Sequence, residues 1–390
     1  MFLRPQIKND TCTLVYLLFP RRRESIFAKA WMPACAGMTT VKSMTKIPDG
    51  DWLSQLNEAE LDDFWQRRAN ELRHRQEVRL FGHPLVVESN EGGVLTAVSL
   101  ALSQYTQTEQ SKPPLGTLQL AVQPMRQPPG PAPDDLMQQI TYSGSADWLM
   151  MQLGGWGVVH LDLSRRLGTA VLDPQLAARP ELVAQCVLHT LLLNLVISHG
   201  YGMLHASCLV RDGVALLLLA PHNTGKSTTA LRLALAGFRL LTDSMVFVDG
   251  DGFLHGYPVG LAKLRGDMVE QFPELRPFLQ PEIVRQETKY RVDLRAVNPD
   301  FVWETAVRPH KIILCLLSRH EKEETVVEDV GEAEVIQAIL QNSLYVDRSQ
   351  VWRENVANLK RVVGGRGTAV TLKLGSAQRS LIQLLNKLVS

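Results

Sequence analysis

The chain has 390 residues, 45% hydrophobic and 21% charged, a composition typical of a soluble globular protein with two ordinary domains. Its net charge of +1 hides an asymmetry, because residues 1–43 hold seven Lys/Arg against two Asp/Glu, so the slightly acidic remainder argues against a nucleic-acid partner. Five scattered cysteines without a C-x-x-C pair argue against a disulfide framework or a zinc site and predict a cytoplasmic protein.

Residues 1–43 look foreign to the rest of the chain. Their apolar run precedes the arginines, which is the reverse of a signal peptide. The stretch resembles the translated read-through of dispersed repeats in bacterial gene models, so we expect a non-native or disordered extension and a true start at Met44 instead of Met1. An ordered N-terminal arm is the alternative.

Residues 44–175 are predicted to form a smaller α+β domain. Apolar residues at spacings of three and four predict a helix at 51–76, with a capping box formed by Asn57 and Glu60. The rest has mostly antiparallel strand character. Strands are predicted over 78–89, 94–105, 116–123, 147–163 and 168–173, with a tight turn at 90–93 and a proline-rich loop at 124–133.

A long apolar helix, 180–199, begins at Pro180 and ends at Gly200, and we expect residues 176–200 to connect two domains. Its apolar run is interrupted by polar residues and glycines, so no membrane segment is predicted.

Residues 201–390 alternate between strand and helix patterns, which predicts a mixed α/β sheet with flanking helices. The predicted strands are 203–210, 214–219, 238–242, 245–248, 290–295, 311–317 and 368–374, and the predicted helices are 226–236, 332–343, 350–362 and 376–388.

The pattern from Ala220 to Ser227 is A-x-x-x-x-G-K-S, one residue short of a complete P-loop. An apolar strand precedes it and a helix follows, which is the context that phosphate binding requires, because backbone N–H groups and the helix dipole converge there. A plain strand–turn–helix with an exposed lysine is the alternative. The predicted nucleotide-binding residues are Asn223, Thr224, Gly225, Lys226, Ser227 and Thr228.

Two residues outside the loop complete the predicted site. Asp243 ends the strand after the P-loop helix. A parallel strand that adjoins the loop strand would carry its carboxyl end to the same crevice, so Asp243 is expected there, where it and Ser227 would hold Mg²⁺. A turn aspartate is the alternative. His205 lies on the strand before the P-loop strand, where a lone histidine is usually a hydrogen-bonded core residue, and a catalytic role is the alternative.

Residues 200–265 resemble the catalytic core of HPr kinase/phosphorylase and its relatives. The matching stretches are "LHAS" at 204–207, "GKS" at 225–227 and "GFRLLTDS" at 237–244, with weaker agreement at 256–265 and 289–294. The resemblance implies a kinase that uses ATP and Mg²⁺. It makes Asp243 the general base, assigns Lys226 to the phosphates and places His205 near them. Relatives often form oligomers, so it also implies a homo-oligomer.

Two positions depart from the family pattern. Ala220 replaces the first loop glycine, and Ser244 stands where relatives usually have a second aspartate, which argues against phosphorylase activity. Asp249 and Asp251 are interpreted as residues of a hairpin turn. Lys263 with Arg265 would face either phosphate or solvent.

Three functions remain open from the sequence. The first is transfer of phosphate from ATP to a hydroxyl, expected to be a serine, of a protein or peptide that the N-terminal region recognises. The second is a nucleotide-binding regulatory or assembly module without transfer, which the two departures favour. The third is an ATPase, for which we identify no water-positioning residue.

Overall fold

The structure is a computed structural model that describes residues 72–102, 105, 112–125, 134–145, 147–221, 224–284, 287–304, 306–344, 349–363 and 367–389. Most of the predicted helix at 51–76, most of the proline-rich loop and Asn223 therefore lie outside the described residues. The last residues of that predicted helix are not helical, because a strand begins at His74.

The first sheet has seven strands. They are β1 (His74–Leu80), β2 (His83–Ser89), β3 (Gly116–Val122), β4 (Ile140–Gly144), β5 (Trp148–Leu153), β6 (Gly157–Asp162) and β7 (Leu167–Leu172). Their order is β1-β2-β3-β7-β6-β5-β4, with β3 parallel to both of its neighbours and every other pair antiparallel. The two strands predicted around a Gly-Gly turn at 147–163 are confirmed as β5 and β6.

The predicted strand at 94–105 is wrong. Residues Leu95–Leu102 form an α-helix, α1, after a 3₁₀ turn at Gly92–Val94. Its buried residues are Ala97, Val98, Ala101 and Leu102, which line one helical face. The hairpin turn lies earlier, at Phe81 and Gly82, which both have positive φ and join β1 to β2.

Two helices follow the first sheet. A short one, α2, spans Pro174–Ala177, and a long one, α3, spans Pro180–Ser198 with a π-helical segment at Val183–Leu188. As predicted, α3 ends before a left-handed glycine, Gly200, with a φ of 85°. Within the described residues, α3 alone is long and apolar enough to cross a membrane, but 61% of it is buried in the protein and a core helix meets the same criteria.

The remaining strands form three sheets. They are β8 (Gly202–Leu204), β9 (Ser207–Arg211), β10 (Val214–Leu219), β11 (Arg239–Thr242), β12 (Met245–Val248), β13 (Leu254–Tyr257), β14 (Leu261–Arg265), β15 (Gln280–Val284), β16 (Glu287–Asp293), β17 (Lys311–Arg319), β18 (Val326–Asp329), β19 (Ser343–Leu344) and β20 (Gly367–Leu374).

The second sheet, in the order β11-β9-β10-β17-β20-β18, carries the predicted site. Strands β10, β17 and β20 are parallel, and β9 is antiparallel to both β10 and β11. The third sheet is β13-β12-β8-β19 and the fourth is β14-β16-β15. The predicted strand at 203–210 is therefore two strands in different sheets, because the chain leaves one sheet at Leu204 and enters the other at Ser207.

Helices cover both faces of the second sheet. They are α4 (Lys226–Leu235), α5 (Leu294–Val297), α6 (Glu332–Gln341), α7 (Ser349–Val363) and α8 (Gln378–Val389). In β10, Leu216 packs in the core with α4 and α8, while Leu217 packs in the core on the other face. Burial on both faces explains why β10 is apolar without alternation.

Candidate functional site

The predicted phosphate loop connects β10 to α4. All six residues of β10 are buried, and the chain turns into the helix at Gly225, whose φ is 108°. Thr229 N donates to Gly225 O at 2.8 Å, so regular helical bonding starts at the first turn. The loop therefore stands at the carboxyl end of a central strand and opens into a helix N-terminus, where the dipole favours an anion.

Ala220, the departure at the first loop position, is 7% exposed and packs in the core with α4. Its methyl group thus has an apolar environment. Ser227 and Thr228 lie on the first turn of α4, both half-buried. Burial is compatible with hydroxyl groups that face the loop instead of bulk water.

Lys226 and Asp243 meet beside the loop. Lys226 Nζ donates to the backbone oxygen of Asp243 at 2.9 Å and lies 4.0 Å from its Oδ1. Their side chains are 12% and 6% exposed. Burial lowers the pKa of Lys226, an effect that the nearby Asp243 carboxylate partly offsets. A phosphate at the loop would add negative charge beside this ammonium.

Asp243 reaches the loop by a different route from the one expected. Strand β11, which precedes it, does not adjoin β10, because β9 lies between them. Since β9 is antiparallel to both, β10 and β11 point the same way and their carboxyl ends share one edge of the sheet. The juxtaposition of Lys226 and Asp243 results from this arrangement.

Ser207 is a site residue whose role the sequence analysis missed. It is fully buried, and its Oγ donates to Asp243 Oδ1 at 2.5 Å. The only available signal was its place in the "LHAS" stretch, two residues after His205. The position of Ser207 close to His205 in the sequence does not indicate that its hydroxyl contacts Asp243.

Arg319 is a second residue that sequence reasoning did not find. It ends β17, the parallel neighbour of β10, and its Nε donates to Thr224 O at 2.8 Å. A β-carbon at Gly225 would lie 3.4 Å from Arg319 Nη2. The guanidinium therefore borders the loop and holds one of its carbonyl groups.

His205 lies in the two-residue break between β8 and β9. Its backbone N donates to Asn342 O at 2.6 Å, which ties this break to the end of α6. The contact fixes the path of the chain just before Ser207. Catalysis by His205 stays a prediction.

The remaining charged candidates have structural partners. Asp249 Oδ1 accepts from the N–H groups of Asp251 and Phe253, so the hairpin turn predicted for this stretch is confirmed. Lys263 pairs with Glu282 at 2.8 Å, and Arg265 Nε donates to Asp267 at 3.1 Å. Both basic side chains thus have carboxylate partners away from the loop.

The oxygen atoms available at the loop are of the type that Mg²⁺ prefers as ligands. A hydroxyl at Ser227 and a carboxylate at Asp243 are hard oxygen ligands, and Mg²⁺ commonly uses one or two protein ligands together with substrate phosphates. Within the described part of the chain, no cluster of three His, Cys, Asp or Glu residues could hold a metal by itself.

Comparison with known proteins leaves the family open. The described residues form a mixed α/β protein whose second sheet carries a strand–loop–helix of P-loop type. No protein-family model matches the chain, and no curated protein matches it. Among solved structures, the chain is weakly similar to the Hpr(Ser) kinase/phosphatase from Coxiella burnetii. The identity is 15% and the TM-score 0.24, over 48% of this chain and 93% of that one.

Proposed function

We propose that the protein transfers the γ-phosphoryl group of ATP, with Mg²⁺, to a serine hydroxyl of a protein or peptide. The observation that carries the proposal is the contact between Lys226 and Asp243 at the mouth of a strand–loop–helix. It joins a phosphate-binding cation to a carboxylate that can accept a proton. Transfer of phosphoryl to a hydroxyl needs both groups.

In this proposal each residue has one task. The backbone N–H groups from Gly225 to Thr228 bind the phosphates, since Thr224 N donates to Pro221 O at 3.3 Å, and Lys226 moves from the Asp243 carbonyl to the β- and γ-oxygens. The oxygen of the acceptor hydroxyl bonds to the γ-phosphorus while the bond between that phosphorus and the leaving ADP oxygen breaks. Asp243 accepts the proton that the hydroxyl loses. Ser227 and Asp243, together with the nucleotide phosphates, would hold Mg²⁺, which when bound would supply neutralisation of charge on the phosphates.

The test is transfer of label from γ-labelled ATP to proteins of a host lysate by purified residues 44–390. Lys226→Ala should abolish both binding and transfer. Asp243→Asn should reduce transfer by about 100-fold or more and leave ATP affinity within a few-fold, because general-base catalysis contributes 10²–10⁴-fold. Isothermal titration calorimetry gives the affinities.

Two matched controls separate chemistry from folding. The control for Lys226 is Lys311, which also donates to a backbone oxygen, at 2.9 Å, but lies at the opposite end of the same sheet. The control for Asp243 is Asp173, a buried aspartate that caps the N-terminus of α2. Lys311→Ala and Asp173→Asn should keep transfer and ATP affinity. Equal activity in wild type and Asp243→Asn would contradict the proposal.

A nucleotide-binding module without transfer is the second candidate. Ser244 favours it, because this position lacks the second carboxylate that is usual in the HPr-kinase family that the sequence resembles. Its backbone N donates to Thr242 Oγ1 at 3.1 Å. ATP binding that Lys226→Ala abolishes, without a labelled product, would support this candidate.

We also propose a cytoplasmic location, which cell fractionation would test.

A further inference from the structure

Ser207 and Asp243 form the shortest polar contact at the site. Ser207 is 0% exposed and Asp243 7% exposed, and the Ser207 hydroxyl lies 2.5 Å from Oδ1 of the carboxylate. A hydroxyl donating to a carboxylate makes a charge-assisted hydrogen bond, which is shorter and stronger than a bond between neutral groups. Such a bond in a buried place restricts the carboxylate to one orientation.

Strand order brings the two residues together. Ser207 opens β9 opposite Leu218, the next-to-last residue of β10, and β9 separates the loop strand from the Asp243 strand. The break at His205 and Ala206 lets the chain enter the second sheet at this edge. Ser207 thus lies between the phosphate loop and the carboxylate.

Both fixed contacts of the carboxylate act on one oxygen. Oδ1 accepts from Ser207, and the Lys226 ammonium lies 4.0 Å from that same atom. Among the described residues, no hydrogen bond reaches Oδ2. The geometry therefore leaves Oδ2 as the oxygen available to an incoming hydroxyl.

We infer that Ser207 is a positioning residue for phosphoryl transfer: its hydroxyl holds Oδ1 of Asp243 so that Oδ2 takes the proton of the acceptor hydroxyl. This inference rests on the proposed function and adds a residue to it. Ser207 itself is not the acceptor, because a fully buried oxygen has no access to a γ-phosphorus. Phosphate found on Ser207 by mass spectrometry would overturn this assignment.

The experiment compares kcat, KM for ATP and ATP affinity in Ser207→Ala, Asp243→Asn and the double variant. Ser207→Ala should lower kcat by about 10- to 100-fold, the range expected for a hydrogen bond to a charged group, and change KM for ATP by less than about 3-fold. In the Asp243→Asn background, Ser207→Ala should cost less than about 2-fold more, because Ser207 acts through Asp243.

Two further variants separate positioning from packing. Ser207→Thr retains the hydroxyl and should recover most of the lost kcat. Ser89 is an equally buried serine in the first sheet whose Oγ donates to Leu120 O at 2.7 Å. Ser89→Ala should keep wild-type kcat, and its thermal midpoint shows what loss of a buried hydroxyl does to stability alone.

The outcomes distinguish this inference from the proposed function. Wild-type transfer with an unchanged kcat in Ser207→Ala, or a full additional loss in the double variant, would overturn the role of Ser207 and leave the proposed function intact. No transfer by the wild type, with ATP still bound, would overturn both.

Discussion

Gly225 determines how the chain enters helix α4. Its φ of 108° lies in the region that L-residues rarely adopt, and Arg319 Nη2 and Leu374 Cδ1 lie 3.4 and 3.8 Å from the position of an added β-carbon. Those distances are ordinary van der Waals contacts, so backbone strain, and not lack of space, favours glycine at the residue where the chain enters α4.

We predict that Gly225→Ala weakens ATP binding by about 10-fold or more, because the loop must shift to relieve a backbone conformation that alanine disfavours. Calorimetric titration with ATP measures this. Gly237 is the matched control, since its φ is 94° and nothing lies within 4 Å of an added β-carbon. Gly237→Ala should lose stability and keep wild-type affinity, and an equal loss of affinity in both variants would contradict the prediction.

At the scale of elements, α7 caps the end of α3. Asn355, fully buried, donates from Nδ2 to Ile197 O at 3.1 Å and Tyr201 O at 2.7 Å, and Asn358 Nδ2 donates to Gly200 O at 2.8 Å. Ile197 lies in the last turn of α3, and its oxygen also accepts from Gly200 N at 2.9 Å, while Gly200 and Tyr201 follow the helix. Two asparagines one helical turn apart thus donate to the buried backbone where the chain leaves α3.

We predict that Asn355→Ala lowers the free energy of unfolding by about 1–2 kcal/mol, because the Tyr201 carbonyl loses the donor that Asn355 supplies, while Ile197 O keeps its bond from Gly200 N. Urea unfolding followed by circular dichroism measures the change. Lys360→Ala, on the exposed face of the same helix, should alter stability by less than about 0.5 kcal/mol. A loss for Asn355→Ala as small as for this control would argue against the capping role.

Prediction from sequence succeeded for elements with strong local patterns. Strand β10 and helices α4, α6 and α7 lie within two residues of their predicted bounds, because apolar periodicity and flanking glycines define them locally. It failed at α1, since a short run rich in alanine and leucine fits strand or helix until its neighbour is known. Packing against α3 favours the helix.

At the scale of the whole molecule, a buried polar chain joins the first sheet to the rest. His83 Nδ1 donates to Pro113 O at 2.7 Å, and Nε2 accepts from Tyr201 Oη at 2.9 Å. Lys112 Nζ donates to the same Tyr201 oxygen at 3.1 Å. Burial lowers the pKa of His83 to about 4, with further lowering by His199 and Lys112. His83 is therefore neutral in the folded protein at neutral pH.

The lowered pKa of His83 predicts that the protein loses stability in acid. Between pH 6.5 and about 4 the unfolded state binds a proton at His83 that the folded state does not, so stability is present above this window and falls by about 1–3 kcal/mol through it. His83→Gln can keep both hydrogen bonds without titrating and should reduce the slope of unfolding free energy against pH.

Urea midpoints between pH 4 and 7 measure that slope. It should decrease but not vanish in His83→Gln, because burial also lowers the pKa of His189 to about 4. His74→Gln, at an exposed position, should keep the wild-type slope. A wild-type slope in His83→Gln would show that His83 does not contribute.

The sequence by itself determined strand β10, helix α4 after it and the choice of Lys226 and Asp243 as candidates, because each follows from a pattern within a few residues. Only the tertiary structure decided that Ser207 holds Asp243, 36 residues away, and that Arg319 holds Thr224, 95 residues away. Such contacts depend on strand order. The insertion of β9 between β10 and β11 has no local signature, since many strand orders bury the same apolar residues.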